Sequence, residues 1–539
     1  QVVRDVRRSM MFLLAAVGVV LLGACANVAN LLLIKAAASR KQMAVQHALG
    51  ASRLRLSAQV LAECLLLGGA GAVVGVLLAF GIVRAVVATG PADIPLLSDA
   101  RIDGTVLAFT LAVTLLTFVL VGLVPAWRSG RPEVAMVLRE GGSRSRRRED
   151  RRLMAVLTVS QIALAMVLLT AGGLMVRSFQ ALLRVDPGLD PERVLTFQLE
   201  LPMATTYPTQ EGRDAFFRTL LEQVEGIPGV GAVTMASAPP LEEEPSEFSF
   251  SRVGVEDDRA LRANFRLVAP GYFALLGIPI VKGRPFDATD GRVAPRVAIV
   301  SEALARSVWG GGSDDPVGAR IDVPFGDPAQ VVGVAGDVRT TGLDGDVGRT
   351  VYIAASQSGY NFMTVVVKSQ ADPRAITPAI RRLVNTLDPD LPLHRVRTLD
   401  ELLVTSVAQQ RFQMLLVGAF SLLVFALAVI GTYGVTSYGV SERTNELGIR
   451  IALGATALEI RHLVLREGAR LALAGIVVGG AAAVALSQVL DRFVFQISTL
   501  DLVTFTAAPA LLATATLLAA FVPAHRATRV DPLRVLRAD

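Results

Sequence analysis

Apolar and polar positions segregate along this chain in blocks of tens of residues. Seven apolar runs occupy 11–34, 62–83, 106–125, 154–176, 414–438, 469–490 and 505–522, each long enough to cross a bilayer, which takes roughly 17–25 residues. Backbone amides in hydrocarbon find no water, so each run is expected to be helical. Between the fourth and fifth runs the pattern changes. Strand-like stretches (Val194 to Leu199, Val297 to Val300, Val331 to Val334, Met363 to Val367) alternate with helical ones at 209–226, 301–308 and 374–387. That pattern predicts a water-soluble α+β or α/β domain.

Composition agrees. The 539 residues are 52% hydrophobic and only 19% charged, with mean hydropathy +0.51, more apolar than a typical soluble domain. The basic pI of 9.7 does not mark a nucleic-acid partner, because the excess charge sits in short loops between apolar runs. Arg128, Arg131, Arg139, Arg144, Arg146 to Arg148, Arg151 and Arg152 crowd one such loop. Lys35, Arg40, Lys41, Arg53 and Arg55 follow the first run, Arg443, Arg450, Arg461 and Arg466 the fifth, and Arg526, Arg529, Arg534 and Arg537 the seventh. Positive charge is retained in the cytoplasm, which puts the N-terminus and central domain outside and the C-terminus inside. A signal peptide at 11–34 is not expected, since the run is too long and lacks a cleavage site.

The chain contains a repeat. Ala48-Leu49-Gly50-Ala51 after the first run matches Ala452-Leu453-Gly454-Ala455 after the fifth, at an offset of 404 residues. At the same offset Glu63 matches Glu467, each at the head of the next run. Pro125-Ala126 and Pro523-Ala524 close the third and seventh runs at an offset of 398, and each is followed by a basic amphipathic tail. Two three-helix units therefore flank the central domain. The fourth run belongs with the second unit, which has the form helix, external domain, three helices. The first unit shows no such opening helix and domain, so the sequence is expected to begin partway through a longer protein or to have lost a portion encoded elsewhere.

The stretch Glu442-Arg443-Thr444-Asn445-Glu446-Leu447-Gly448-Ile449-Arg450-Ile451-Ala452-Leu453-Gly454-Ala455 resembles the post-helix motif of FtsX-like ABC-transporter permeases. The central domain resembles the MacB-type periplasmic core, through Ile227-Pro228-Gly229-Val230, Val268-Ala269-Pro270-Gly271-Tyr272-Phe273, Gly283-Arg284-Pro285-Phe286, Val300-Ser301-Glu302-Ala303, Pro316-Val317-Gly318 and Val332-Gly333-Val334-Ala335-Gly336-Asp337-Val338. The duplicated layout looks like the acidobacterial-type duplicated orphan permeases.

The resemblance implies a polytopic α-helical membrane protein with about seven crossings, two FtsX-like units and an α+β MacB-like periplasmic domain. Residues 1–10 would be the periplasmic end of a missing first domain and 11–139 the first permease unit. A basic cytoplasmic linker would follow at 140–152, an outward helix at 153–179, the periplasmic core at 180–411 and the second unit at 412–539. The implied activity is that of the permease subunit of an ABC system in the bacterial inner membrane. It couples ATP hydrolysis by a separate cytoplasmic subunit to movement of the outer domain (mechanotransmission), for efflux or extraction of an amphiphilic or peptide-like substrate. The implied partners are that ATPase, the bilayer, and a periplasmic adaptor, outer-membrane channel or lipoprotein, with the two units acting as a pseudo-dimer. The alternative is a regulatory module that moves no cargo and switches on a periplasmic partner such as a cell-wall hydrolase.

Family resemblance also assigns ATPase coupling to the short cytoplasmic helix within 443–467 and its counterpart in 39–62. The candidate residues are Glu446, Arg450, Gly454 and Glu467, with Gln42, Gln46, Gly50 and Glu63 in the first copy. Gln42 and Gln46 stand where the second copy has Glu446 and Arg450, so the copies are unequal. Without the resemblance, a short helix with charged and apolar positions fits equally a partner groove or the lipid headgroups. Gly50 and Gly454 are natural helix C-caps.

Within the apolar runs, Asn27, Asn30 and Gln161 are expected to bond between helices, and Gly68-Gly69-Ala70-Gly71, Gly475 and Gly479-Gly480 to mark close packing. No acidic or basic relay of the kind ion-coupled carriers use is present. Cys25 and Cys64 build neither a disulfide framework nor a zinc site. The central domain has one histidine, His394, no cysteine, and neither HExxH nor Gly-x-Ser-x-Gly. Asp257-Asp258, Asp314-Asp315 and Glu242-Glu243-Glu244 are solvated loop charges. No phosphate-binding Gly-x-x-x-x-Gly-Lys-Ser/Thr loop occurs, so neither cofactor nor enzyme chemistry is expected in this chain.

Overall fold

The computed structural model describes residues 2–38, 46, 49, 52–89, 102–129, 143–239, 241, 247–253, 261–310, 315–323, 326–340, 342–345, 347–490, 495, 497–498 and 500–528. The chain divides into two compact units, Gln1–Ala181 with Gln410–Asp539, and Leu182–Gln409.

The first unit is helical: α1 (Val2–Ala38), α2 (Arg53–Thr89), α3 (Gly104–Ser129) and α4 (Ser143–Leu182) precede the central insertion. All seven apolar runs lie within helices that extend beyond them. Six helices among the described residues are long and apolar enough to cross a membrane, and α3 carries the remaining run. The basic stretch expected as a linker is helical from Ser143, since arginine and glutamate are good helix formers.

The second unit is the insertion. It holds β1 (Val194–Glu200), α5 (Gln210–Glu225), β2 (Val230–Ala236), β3 (Glu247–Arg252), β4 (Leu261–Val268), α6 (Tyr272–Leu275), β5 (Ile280–Gly283), β6 (Val297–Ser301), α7 (Glu302–Trp309), β7 (Arg320–Asp322), β8 (Ala329–Ala335), β9 (Thr350–Ala354), β10 (Phe362–Ser369), α8 (Thr377–Leu387), β11 (His394–Thr398) and α9 (Leu399–Ser406). The chain then returns to the helical unit through α10 (Ala408–Glu442), α11 (Thr444–Ala452), α12 (Ala457–Leu490) and α13 (Leu502–Ala527).

Two lobes make up the insertion. In the first, β11, β1, β10 and β2 lie side by side, all antiparallel. With α5 and α8 they form a split β-α-β around Phe197, Phe217, Leu220, Met363, Val365 and Ile380. Arg213 is buried there because it reaches backbone acceptors, the Tyr360 carbonyl at 2.8 Å and that of Tyr207 at 3.0 Å. Burial together with the bond to Asp388 pushes the Tyr207 hydroxyl up to about 12. The second lobe interrupts this unit between β2 and β10. Strands β4, β3, β7, β8, β6 and β9 pair in that order, and β9 pairs back to β4 in parallel, so the ring closes. Val300, Ile321, Val331, Val351 and Ile353 fill it, with Leu304 and Trp309 of α7 packed against them. Both lobes belong to one α+β domain.

The repeat reappears in the helix ends. Shifted by 404 residues, the end of α1 (Ala38) falls on the end of α10 (Glu442), and the start of α2 (Arg53) on the start of α12 (Ala457). Shifted by 398, α3 coincides with α13 at both ends. The caps repeat as well. Ser52 accepts the Arg55 amide and Thr456 that of Glu459, both at 3.3 Å. Asp103 accepts the Val106 amide and Asp501 that of Thr504, both at 2.8 Å. A hydroxyl or carboxylate at the N-cap satisfies an amide the helix leaves free, so the same chemistry starts the same helix twice.

Helix α4 is the most enclosed of the membrane-length helices. Ile162, Ala165, Met166 and Leu168 pack with Ala16 of α1, Val424 and Ala428 of α10, and Ala508 and Leu512 of α13. Two of the three expected groups bond between helices: Asn30 Nδ2 donates to Thr158 Oγ1 (3.3 Å) and Gln161 Oε1 (3.4 Å), whereas the buried Asn27 Oδ1 meets no partner among the described residues. Gly431 of α10, the repeat counterpart of Asn27, leaves room for these amides. A Cβ there would lie 2.3 Å from Gln161 Oε1 and 3.3 Å from Asn27 Oδ1.

Small-residue packing divides between the copies. Gly475 and Gly479 of α12 lie against α4, where a Cβ would come within 2.5 Å of Ile162 and 2.6 Å of the Ala163 carbonyl. Their repeat counterparts Gly71 and Gly75, and Gly69 of the predicted string, have no described atom within 4 Å. Gly68 is buried, so in the first copy the expected close packing is missing at Gly69 and Gly71 and not along the whole string; in the second copy Gly480 likewise meets no described atom.

Candidate coupling site at the basic helix ends

Arg443 breaks the regular helix between α10 and α11. Nine residues later α11 ends in a Schellman turn, with the Gly454 amide on the Ile451 carbonyl (3.0 Å) and the Ala455 amide on the Arg450 carbonyl (2.9 Å). Gly454 has φ +98°, a region in which a Cβ is penalised, so the small residue here is a steric requirement.

Between these stops α11 is two-faced. Leu447 is buried with Ile460 of α12 and Ala527 of α13, and Ile451 and Leu463 pack beside them. The opposite stripe, Glu446, Ile449, Arg450 and Leu453, follows i, i+3, i+4, i+7 spacing and is exposed. Arg450 donates to Glu446 at 2.6 Å, an i,i+4 pair. Ile449 is 49% exposed and Leu453 82%. Leu49, the repeat counterpart of Leu453, is 83% exposed. The two leucines thus stand exposed at equivalent positions of the repeat.

Glu467 is not on α11. It sits on α12 and accepts from two arginines: Arg151 of α4, whose Nε lies 3.1 Å away, and Arg443 at the α10–α11 break, 3.3 Å away. One carboxylate thus ties α4 and α10, the two helices through which the chain leaves for and returns from the insertion. At its other end α4 is tied again. Arg177 Nη1 donates to both Asp501 oxygens, at 2.7 and 2.9 Å. Partial burial works against the Asp501 charge, but the Thr504 amide and hydroxyl and Arg177 hold its carboxyl below the usual carboxylate range. Arg151 and Arg177 are 26 residues apart, about 39 Å along a helix, close to the thickness of a bilayer with its headgroups.

Among the sequence candidates, Glu446 and Arg450 pair with each other, Gly454 forms the left-handed turn, and Glu467 joins three helices. Gln46 is half-buried in helical backbone. Glu63 lies in α2, with its side chain outside the described residues, as are Gln42 and Gly50. Sequence reasoning missed Arg151, Arg443, Ile449, Leu453 and the Arg177–Asp501 pair. Leu453 and Leu49 were visible inside the repeated Ala-Leu-Gly-Ala; the ion pairs from α4 join residues more than 300 positions apart and left no local signal.

The fold and these junctions define a class: a polytopic helical membrane protein with one extramembrane α+β domain inserted between its helices. Comparison with known families sharpens this. Residues 155–383 match the MacB-like periplasmic core domain, and residues 14–134 and 418–532 match the FtsX-like permease C-terminal domain. The chain belongs to the FtsX/MacB-type ABC permeases. It is 28% identical over 283 residues to the pyoverdine export ATP-binding/permease protein PvdT of Pseudomonas syringae pv. syringae, covering 49% of this chain and 41% of that protein. It is 29% identical over 290 residues to the macrolide export ATP-binding/permease protein MacB of Rhodospirillum rubrum, covering 50% and 42%. The matched part thus spans about two fifths of those relatives. Among solved structures it is similar to the periplasmic region of MacB from Actinobacillus actinomycetemcomitans, at 15% identity and a TM-score of 0.28, covering 41% of this chain and 95% of that one.

Proposed function

We propose that this chain is the transmembrane subunit of an ABC export system in a bacterial inner membrane, with its C-terminus in the cytoplasm and its ATPase on a separate polypeptide. The exposed stripe of α11, with Leu49 as its first-copy counterpart, docks on the ATPase, and the two units act as a pseudo-dimer. Docking motion passes through Glu467 into α4 and α10 and so into the periplasmic domain. Arginine retention in the loops supports the orientation. The single observation that carries the coupling is Glu467 bonded to both Arg151 and Arg443. A short two-faced helix packed on α12 and α13 and closed by a left-handed C-terminal turn transmits displacement as a body. Relatives named for export of pyoverdine and of macrolides support an exported cargo, here an amphiphilic or peptide-like molecule handed to a periplasmic adaptor, outer-membrane channel or lipoprotein.

The test is co-purification of the intact chain in detergent with ABC ATPase subunits from its own host. The native chain retains one of them, and Ile449→Glu with Leu453→Glu releases it while the melting profile stays unchanged. Retention by the double variant overturns the reading.

A further inference from the structure

Beside the Glu467 junction lies a cleft of about 790 Å³, lined among others by Arg151, Arg443, His462, Arg466, Glu467 and Arg470. Its carboxylates are engaged. Glu467 holds Arg151 and Arg443, and Glu459 turns back to accept the Thr456 amide at 2.8 Å as half of a capping box. Arg466 and Arg470 are exposed and have no ion-pair partner among the described residues. The cleft therefore carries two uncompensated guanidinium groups one helical turn apart. His462 stands one turn before them on the same stripe.

That stripe does not end in water. Continued along α12 at helical spacing, it runs into exposed Leu473, Val477 and Val484, within the segment long and apolar enough to span the membrane. A ligand matching this surface has a negative head at the membrane edge and a hydrocarbon body beside α12. We propose that the cleft binds the phosphodiester headgroup of an anionic phospholipid, with Arg466 and Arg470 on the phosphate and the acyl chains along Leu473 and Val477. Guanidinium forks match phosphate oxygens in pairs, and basic clefts between membrane helices are suited to anionic headgroups. A lipid seated there fills the angle between α4 and α12 beside the Arg151–Glu467 bond. The site does not depend on ATPase docking, which uses the opposite stripe of α11.

The experiment is native mass spectrometry of the full chain in detergent, titrated with phosphatidylglycerol, phosphatidylcholine or inorganic phosphate. The expected result is retention of phosphatidylglycerol over phosphatidylcholine. Retention falls roughly 10- to 30-fold in Arg466→Gln/Arg470→Gln and largely returns in Arg466→Lys/Arg470→Lys. Arg461→Gln, whose guanidinium bonds back to the Ala457 carbonyl, leaves binding unchanged. Should the double glutamine variant melt early, Arg470→Gln alone with its lysine counterpart carries the test. Equal binding of phosphatidylglycerol by native and glutamine variants overturns the site. Displacement of the lipid by equimolar inorganic phosphate overturns the lipid as its occupant.

Discussion

The two copies of the repeat offer an internal control on membrane packing. Gly479 and Gly75 occupy equivalent positions in α12 and α2, yet among the described residues only Gly479 has a helix against it. In Gly479→Ala the new methyl would lie 2.6 Å from the Ala163 carbonyl oxygen and Met166 Cβ, and 2.8 Å from Ala163 Cα. Ordinary van der Waals separation is about 3.5–4.0 Å, so the helices must part by roughly 1 Å, and a gap of that size forfeits about a quarter to a half of the attraction between the facing atoms. Two of the three obstructing atoms are backbone and cannot rotate away. Overpacking of this kind costs about 1–3 kcal/mol, and the gain in helix propensity from Gly to Ala returns about 0.5–1 kcal/mol. The net expectation is a destabilisation of about 1–2 kcal/mol. Gly75→Ala meets no described atom and should be neutral or slightly stabilising. Thermal unfolding of each variant in the same detergent measures the difference. If the two substitutions cost the same, or if Gly479→Ala is neutral, the packing of α12 on α4 through this glycine is wrong.

Three further outcomes are expected. Glu467→Gln should cost less than about 1 kcal/mol of stability, because both arginine pairs are partly solvated and exposed pairs contribute little. In the assembled complex it should nonetheless cut substrate-stimulated ATP turnover severalfold, since α4 and α10 lose their common anchor; steady-state phosphate release reads this. Asp501→Asn keeps the N-cap but loses the ion pair with Arg177. Because the folded carboxyl is depressed, the native contribution is present above the ordinary carboxylate value of about 3.9 and is lost as pH falls through the lower folded value. Melting temperature should therefore separate native from variant at pH 7, and the two should converge under strong acid. Leu49→Glu alone should weaken ATPase co-purification less than Leu453→Glu, since the first copy has Gln46 in place of Arg450 and so lacks the Glu446–Arg450 pair; a reversed order would count against the unequal roles of the copies.

Much of the architecture was legible in the sequence because a bilayer imposes it residue by residue. Length and hydropathy alone marked the helices, and the offsets of 404 and 398 located equivalent residues ahead of the fold. In the insertion, the strands read in advance (β1, β6, β8 and β10) are largely buried runs rich in β-branched residues. Strands such as β3, β7 and β11 escaped notice because they are short or polar and owe their strand conformation to their neighbours. Gly454 was readable as a cap, and Glu467 as a repeated acid at the membrane edge suited to pairing with an arginine or capping a helix; that its partners are Arg151 and Arg443 was not readable.

The sequence by itself determined that the chain crosses the membrane, that its helical unit is duplicated, and that a short capped helix follows α10. Local composition encodes those properties. Tertiary structure alone decided that Glu467 joins α4 to α10, that the inserted domain is a split β-α-β interrupted by a closed ring of strands, and that the glycines of one copy are packed while their twins are not. Each depends on which residues, far apart along the chain, come within a few ångströms of one another, and no pattern along the chain records that distance.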